Sequence, residues 1–138
     1  MEYNEGIVKY FSVPHVDERG ILSVITENLP LENFEIRRVF YVRVFKKNSS
    51  RGGHAHHKII QVLFNISGNL EIEYYNNVNR GKIFLKENEG IIINPLTWVD
   101  IKSLRDDSIY IVLANGEYEE SEYIRDKKRF MELISNDN

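Results

Sequence analysis

The chain has 138 residues, a net charge of −3 from 18 Lys and Arg against 21 Asp and Glu, and no cysteine. The missing cysteine excludes a disulfide framework, a zinc knuckle and thiol catalysis, and interspersed charge provides no basic stripe for nucleic acid. No apolar run approaches the ~20 residues of a membrane span, and no signal-type start is present, so a cytoplasmic single domain over residues 1–138 is expected, without nucleic-acid or membrane partners.

Short β-type runs dominate. They fall at residues 7–11, 21–26 after a turn at 17–20, 36–45, 59–66, 69–75, 82–85, 90–93, 98–104 and 108–114. The alternation is clearest where Leu70, Ile72 and Tyr74 interleave with Glu71 and Glu73, the period of a strand with one buried face. Ser67-Gly68 reads as a tight hairpin between two of the runs. Many short strands punctuated by Gly and Asn indicate a sandwich or barrel. Aromatic residues make up 12% of the chain and favour strands and a stacking pocket. The tail differs: Ile124, Phe130, Met131 and Ile134 are spaced for one helical face, and a C-terminal helix is predicted over residues 126–134.

The densest chemistry is Arg51-Gly52-Gly53-His54-Ala55-His56-His57-Lys58, which holds three of the four histidines. On an extended strand His54 and His56 face one side and His57 the other. Two same-face imidazoles can bind a metal or share acid–base work. His15 stands alone in a loop-like stretch and reads as surface.

The spacing of His54, His56, Gln61 and Gly68 resembles the first signature of the cupin superfamily, in which two His and a Glu are metal ligands. Gly90, Pro95 and Trp98 fit the frame of the second signature. This resemblance implies an all-β, cupin (RmlC-like) jelly-roll β-barrel with a short C-terminal helix. Two departures weigh against a catalytic metal. Gln61 is a neutral amide where the family has a carboxylate, and Asp100 or Val99 stands where it has its fourth ligand, a His. A catalytic metal needs about three good protein ligands, and Asp100 is the one outside candidate to complete the set.

A narrower resemblance covers residues 36–130. Arg37-Arg38-Val39-Phe40-Tyr41, Arg51-Gly52-Gly53-His54-Ala55-His56, Gln61-Val62-Leu63, Pro95-Leu96-Thr97-Trp98 and Glu122-Tyr123-Ile124-Arg125-Asp126 are similar to the dTDP-sugar 3,4-ketoisomerases. The resemblance implies a homodimer without cofactor or metal. Its substrate would be dTDP-4-keto-6-deoxyglucose, whose carbonyl moves from C4 to C3 before amination of the sugar.

Such a shift removes a proton from C3, passes through an enediol and returns a proton to C4. Imidazoles suit it because their ordinary pKa of ~6.5 lies near neutrality. His54 is expected to take the C3 proton and His56 to assist at C4 or the oxygens, with their order open. Tyr41 is a candidate donor to the developing oxygen, or a packed strand residue. Arg51 and then Arg38 are candidates for the diphosphate, Gln61 for the sugar or for holding His56, and Trp98 for stacking on thymine or for the core. A 3,5-epimerase-like cupin, a metal-dependent cupin dioxygenase and a non-catalytic nucleotide-sugar-binding cupin are the alternatives.

Overall fold

The computed structural model describes residues 6–135. Twelve strands are found: β1 (Ile7–Phe11), β2 (His15–Asp17), β3 (Gly20–Leu22), β4 (Arg38–Val44), β5 (Ser50–His56), β6 (Gln61–Ser67), β7 (Leu70–Tyr75), β8 (Arg80–Leu85), β9 (Glu89–Ile93), β10 (Trp98–Ser103), β11 (Ser108–Ala114) and β12 (Tyr123–Ile124). A 3₁₀ turn at Glu120–Glu122 precedes β12, and helix α1 (Lys127–Ser135) closes the described chain.

Ten of the strands form two antiparallel five-stranded sheets, ordered β1-β9-β6-β11-β4 and β12-β5-β10-β7-β8. Their inner faces meet in one core built from Leu63, Ile91, Ile93 and Val112 of the first sheet and Leu70, Ile72, Val99 and Ile101 of the second. This is the jelly-roll sandwich of the cupin class.

The nearly continuous apolar run of β6 has a simple cause. Leu63 faces the inner core, while Val62 and Phe64 face outward. The outward face is itself covered, by Ile25, Leu29, Leu31 and Phe34 from the long connection between β3 and β4. A strand buried on both faces loses the alternation that marks a half-exposed one.

On the outside of the second sheet, Phe130 and Ile134 of α1 pack with Ala55, Trp98 and Ile124. The helix starts one residue later than predicted and is capped by Asp126, whose side chain accepts from the Lys128 N–H at 3.0 Å, the usual N-cap bond. Ile124 joins the same cluster from β12.

The strand predicted over 21–26 is shorter. It survives as β3, paired only with three-residue β2 in the register His15↔Leu22. Beyond it, Glu27 N–H donates to Val24 C=O and Leu29 N–H to Thr26 C=O, so the chain turns and lays Ile25 on the first sheet. His15 is exposed, on a strand rather than in a loop.

Candidate active site

Between the two inner faces lies a cavity of about 400 Å³. Its floor is apolar: Phe40, Val42, Leu63, Ile93, Val99, Ile101 and Val112. Its polar wall is Arg38, Arg51, His54, Gln61, Tyr110, Tyr123 and Arg125. Among the described residues no carboxylate lines it.

Arg51 and His54 are three residues apart, and on a regular strand they would face opposite sides. A bulge brings them together. In the β5–β10 pair Val99 stands opposite His54, but Asp100 already stands opposite Gly52, leaving Gly53 over. Both glycines have positive φ, 101° and 68°, a region that costs a side chain strain. A Cβ on Gly52 would approach the Val99 carbonyl oxygen to 2.7 Å. The Gly-Gly pair therefore brings both Arg51 and His54 to the cavity.

His54 and His56 share a face, with ring centroids 5.2 Å apart and planes at 90°. Ala55 between them points the other way, into the helix cluster. Burial holds the His54 pKa below 6.5, with smaller contributions from the Arg125 and Arg38 charges and an opposing one from Asp100. Its resting form near neutrality is the neutral base.

The sequence suggested that His56 would share acid–base work at the substrate. The structure places its ring behind the cavity lining. His56 is 4% exposed, and neither ring nitrogen has accessible surface or a hydrogen-bond partner. It meets His54 and the Tyr123 ring, 4.5 Å away between centroids. Burial, then the neighbouring His54 charge, lowers its pKa to about 4. Its ring stands against that of His54 and does not line the cavity.

Tyr123 closes the wall. It stands opposite His56 in the short β12–β5 pair, and its ring lies 5.1 Å from that of His54. Arg38 Nη1 donates to its hydroxyl at 2.9 Å. The Arg125 guanidinium covers its ring at 4.3 Å and donates to Glu120 at 2.8 Å. Glu122 fastens this segment to the end of β5, accepting the backbone N–H groups of Lys58 and, at 2.9 Å, Ile59. In the sequence, Tyr123 and Arg125 stand within the ketoisomerase-like motif with no role assigned to either. A two-residue strand has no readable periodicity, so the motif itself was the only available signal.

Arg38, Arg51 and Gln61 lie where expected, on the wall. Tyr41 does not. It is 72% exposed, because alternation along β4 turns Arg38, Phe40 and Val42 inward and Val39 and Tyr41 outward. Trp98 is likewise outside the cavity. It is buried against Phe130, with ring centroids 5.5 Å apart, since its neighbours Val99 and Ile101 hold the inward places.

The donor set does not fit a cupin metal centre. His56 is enclosed, Gln61 is an amide, Asp100 does not line the cavity, and among the described residues no three His, Asp or Glu side chains gather as a ligand group. Arg38 and Arg51 have no carboxylate within ion-pair distance among the described residues. Uncompensated guanidiniums over an apolar floor suit an anionic ligand with a less polar body.

Comparison with known proteins agrees with this chemistry. Residues 7–135 match the family described as FdtA: WxcM-like, C-terminal. The chain is 32% identical over 121 residues to a TDP-4-oxo-6-deoxy-alpha-D-glucose-3,4-oxoisomerase of Aneurinibacillus thermoaerophilus, covering 87% of this chain and 86% of that one. It is similar in structure to QdtA, a sugar 3,4-ketoisomerase from Thermoanaerobacterium thermosaccharolyticum solved in complex with TDP. The TM-score there is 0.85 at 26% identity, over 96% of this chain and 97% of the other. The RmlC epimerase of Mycobacterium tuberculosis shares the fold alone, with TM-score 0.72 and 16% identity over 86% of this chain and 68% of that one.

Proposed function

This chain belongs to the FdtA, WxcM-like C-terminal family, and from that premise we propose that it is a sugar-nucleotide 3,4-ketoisomerase acting on dTDP-4-keto-6-deoxyglucose. The observation that carries this reading is a neutral His54 facing a cavity in which, among the described residues, two guanidiniums have no carboxylate partner and no acidic side chain lines the wall. Arg51 and Arg38 hold the diphosphate, and the apolar floor receives the less polar part of the ligand.

His54 removes the C3 proton through the unprotonated nitrogen of its neutral ring. An enediol forms, and the proton returns at C4. The sugar is oxidised at one carbon and reduced at the next, so no external redox partner enters, and the chemistry is acid–base work by the chain's own residues. The 3-keto product has the carbonyl that an amino-transfer reaction requires, which places the enzyme ahead of amination at C3.

We also read the enzyme as a homodimer. β4 is an edge strand of the first sheet, and its outward residues Val39 and Tyr41, followed by Phe45, are exposed. An exposed apolar edge of this kind calls for a covering chain. The oligomeric state of the wild type and of Tyr41→Glu, measured by sedimentation, tests this part: a dimer that Tyr41→Glu splits is expected, and a wild-type monomer overturns it.

The activity is tested by incubating the protein with dTDP-4-keto-6-deoxyglucose in heavy water. Ketoisomerisation moves the carbonyl to C3 and leaves C5 protonated. Deuterium at both C3 and C5 with the carbonyl still at C4 would instead mark a 3,5-epimerase. His54→Asn should abolish turnover, and retained activity in that variant would refute the assignment of the base.

A further inference from the structure

A second cleft, of about 440 Å³, lies on the outside of the second sheet, between its edge strand β8 and the start of α1. It shares no lining residue with the active-site cavity.

Strand register sets out the groups of this outer cleft in two rows. Trp98, Tyr75 and Arg80 stand side by side across β10, β7 and β8, and Asp100, Glu73 and Lys82 form the next row. The rows are two residues apart along each strand, about 7 Å. In the first row the Lys127 ammonium lies over the Tyr75 ring, 6.0 Å from its centroid, and Arg80 stands on the other side. An aromatic face is thus flanked by two cations.

The second row is anionic. Glu71 draws both Lys82 and Lys102 to itself, at 3.8 and 3.6 Å. Among the described residues Glu73 and Asp100 have no cation within ion-pair distance, and Arg80 and Lys127 have no carboxylate. Two carboxylates directly opposite one another on paired strands repel, and an ammonium placed between them would relieve that repulsion. The cleft therefore holds charges of both signs apart instead of pairing them.

This arrangement selects among ligand classes. A nucleotide alone would bring negative charge to the carboxylate row. A bare divalent cation would meet Arg80 and Lys127. A molecule that carries an anion and an ammonium one ring width apart satisfies both rows, and the ring between them meets an aromatic face. Guanidinium and ammonium together suit a phosphate.

We propose that the outer cleft binds an aminated sugar phosphate, with the phosphate on Arg80 and Lys127, the ammonium on Glu73 and Asp100, and the apolar face of the ring on Tyr75. The identity of the ligand rests on the ketoisomerase reading, in which amination at C3 follows this enzyme and yields a compound of that class. The cleft is then a binding site for a later product of the same reaction sequence.

The test uses the whole protein with TDP at saturating concentration, so that the active-site cavity is filled. Calorimetric titration with 3-amino-3-deoxyglucose 1-phosphate should show one saturable site per chain. Glucose 1-phosphate, which lacks the ammonium, and 3-amino-3-deoxyglucose, which lacks the phosphate, should each bind about tenfold more weakly or worse. Arg80→Ala and Glu73→Gln change exposed side chains on the outer face of the sheet. Each should weaken binding of the probe by about tenfold or more, with TDP affinity and turnover unchanged. Absence of binding, or binding that TDP displaces, overturns the proposal. Equal affinity for glucose 1-phosphate also overturns it, since that result marks a simple anion site. The titration involves no turnover, so its failure leaves the ketoisomerase reading standing. Failure of the wild type to isomerise any TDP-4-keto sugar instead overturns that reading, and with it the identity given to the ligand.

Discussion

Arg51 and His54 face one cavity although three residues separate them on a strand, and Gly53 is the extra residue that makes this possible. Gly52→Ala should break the arrangement. It places a Cβ at positive φ and 2.7 Å from the Val99 carbonyl oxygen. The expected cost is about 1–3 kcal/mol of stability, read by denaturant melts. A fall in kcat/KM of at least tenfold should accompany it, because the base and the anion site shift together.

Arg51→Ala should weaken TDP binding by about 10–100-fold, the equivalent of ~1.5–3 kcal/mol for a hydrogen bond to a charged group. Titration calorimetry with TDP alone measures it without turnover. Arg51→Lys should recover only part of the loss, because a point charge does not reproduce a planar fork.

The enclosed His56 predicts a pH dependence of stability. Its folded pKa of about 4 lies below the ordinary 6.5, so between these values the unfolded chain binds more protons. The folded state is favoured above pH ~6.5 and loses stability as the pH falls toward 4, by up to about 3 kcal/mol from this group. His56→Gln should flatten that part of the Tm–pH curve. An unchanged curve would show that His56 is not the group responsible.

Trp98→Ala should cost about 3–5 kcal/mol, as for a large core side chain. Trp98→Phe should cost less and leave the affinity for TDP unchanged, since Trp98 packs on Phe130 and does not line the cavity. A large loss of TDP affinity in Trp98→Phe would return the residue to the binding site.

Removal of divalent cations should leave activity intact. The measurement is turnover after exhaustive chelation, with metal content determined in the same sample. Loss of activity that manganese or iron restores would overturn the acid–base mechanism proposed for His54.

The parts legible in the sequence share a property: their side-chain pattern depends on one strand or helix. Leu70, Ile72 and Tyr74 alternate because β7 is buried on one face. Phe130 and Ile134 mark α1 because the helix packs by one stripe. His54, Arg51, Arg38 and Gln61 stand out by their chemistry and spacing, and all four line the cavity. The misplaced residues depend on relations between elements. Tyr41 and Arg38 are three apart on a strand without a bulge, so both cannot face the cavity, and parity could have removed Tyr41. No local pattern shows that His56 would be sealed by Tyr123, because that contact joins residues 67 positions apart through a two-residue strand.

Ala55 has a consequence that reaches past the chemistry. It lies between the two histidines and faces outward into the cluster of Trp98 and Phe130, so the histidine strand rests on the C-terminal helix across a single methyl group. The helix acts as a backstop that sets how far the base can recede. Cavity depth can therefore be tuned from outside: trimming Phe130 gives the strand room to retreat, and enlarging Ala55 drives it inward. Selection for a bulkier or smaller sugar can work on the tail of the chain while every cavity-lining residue stays the same.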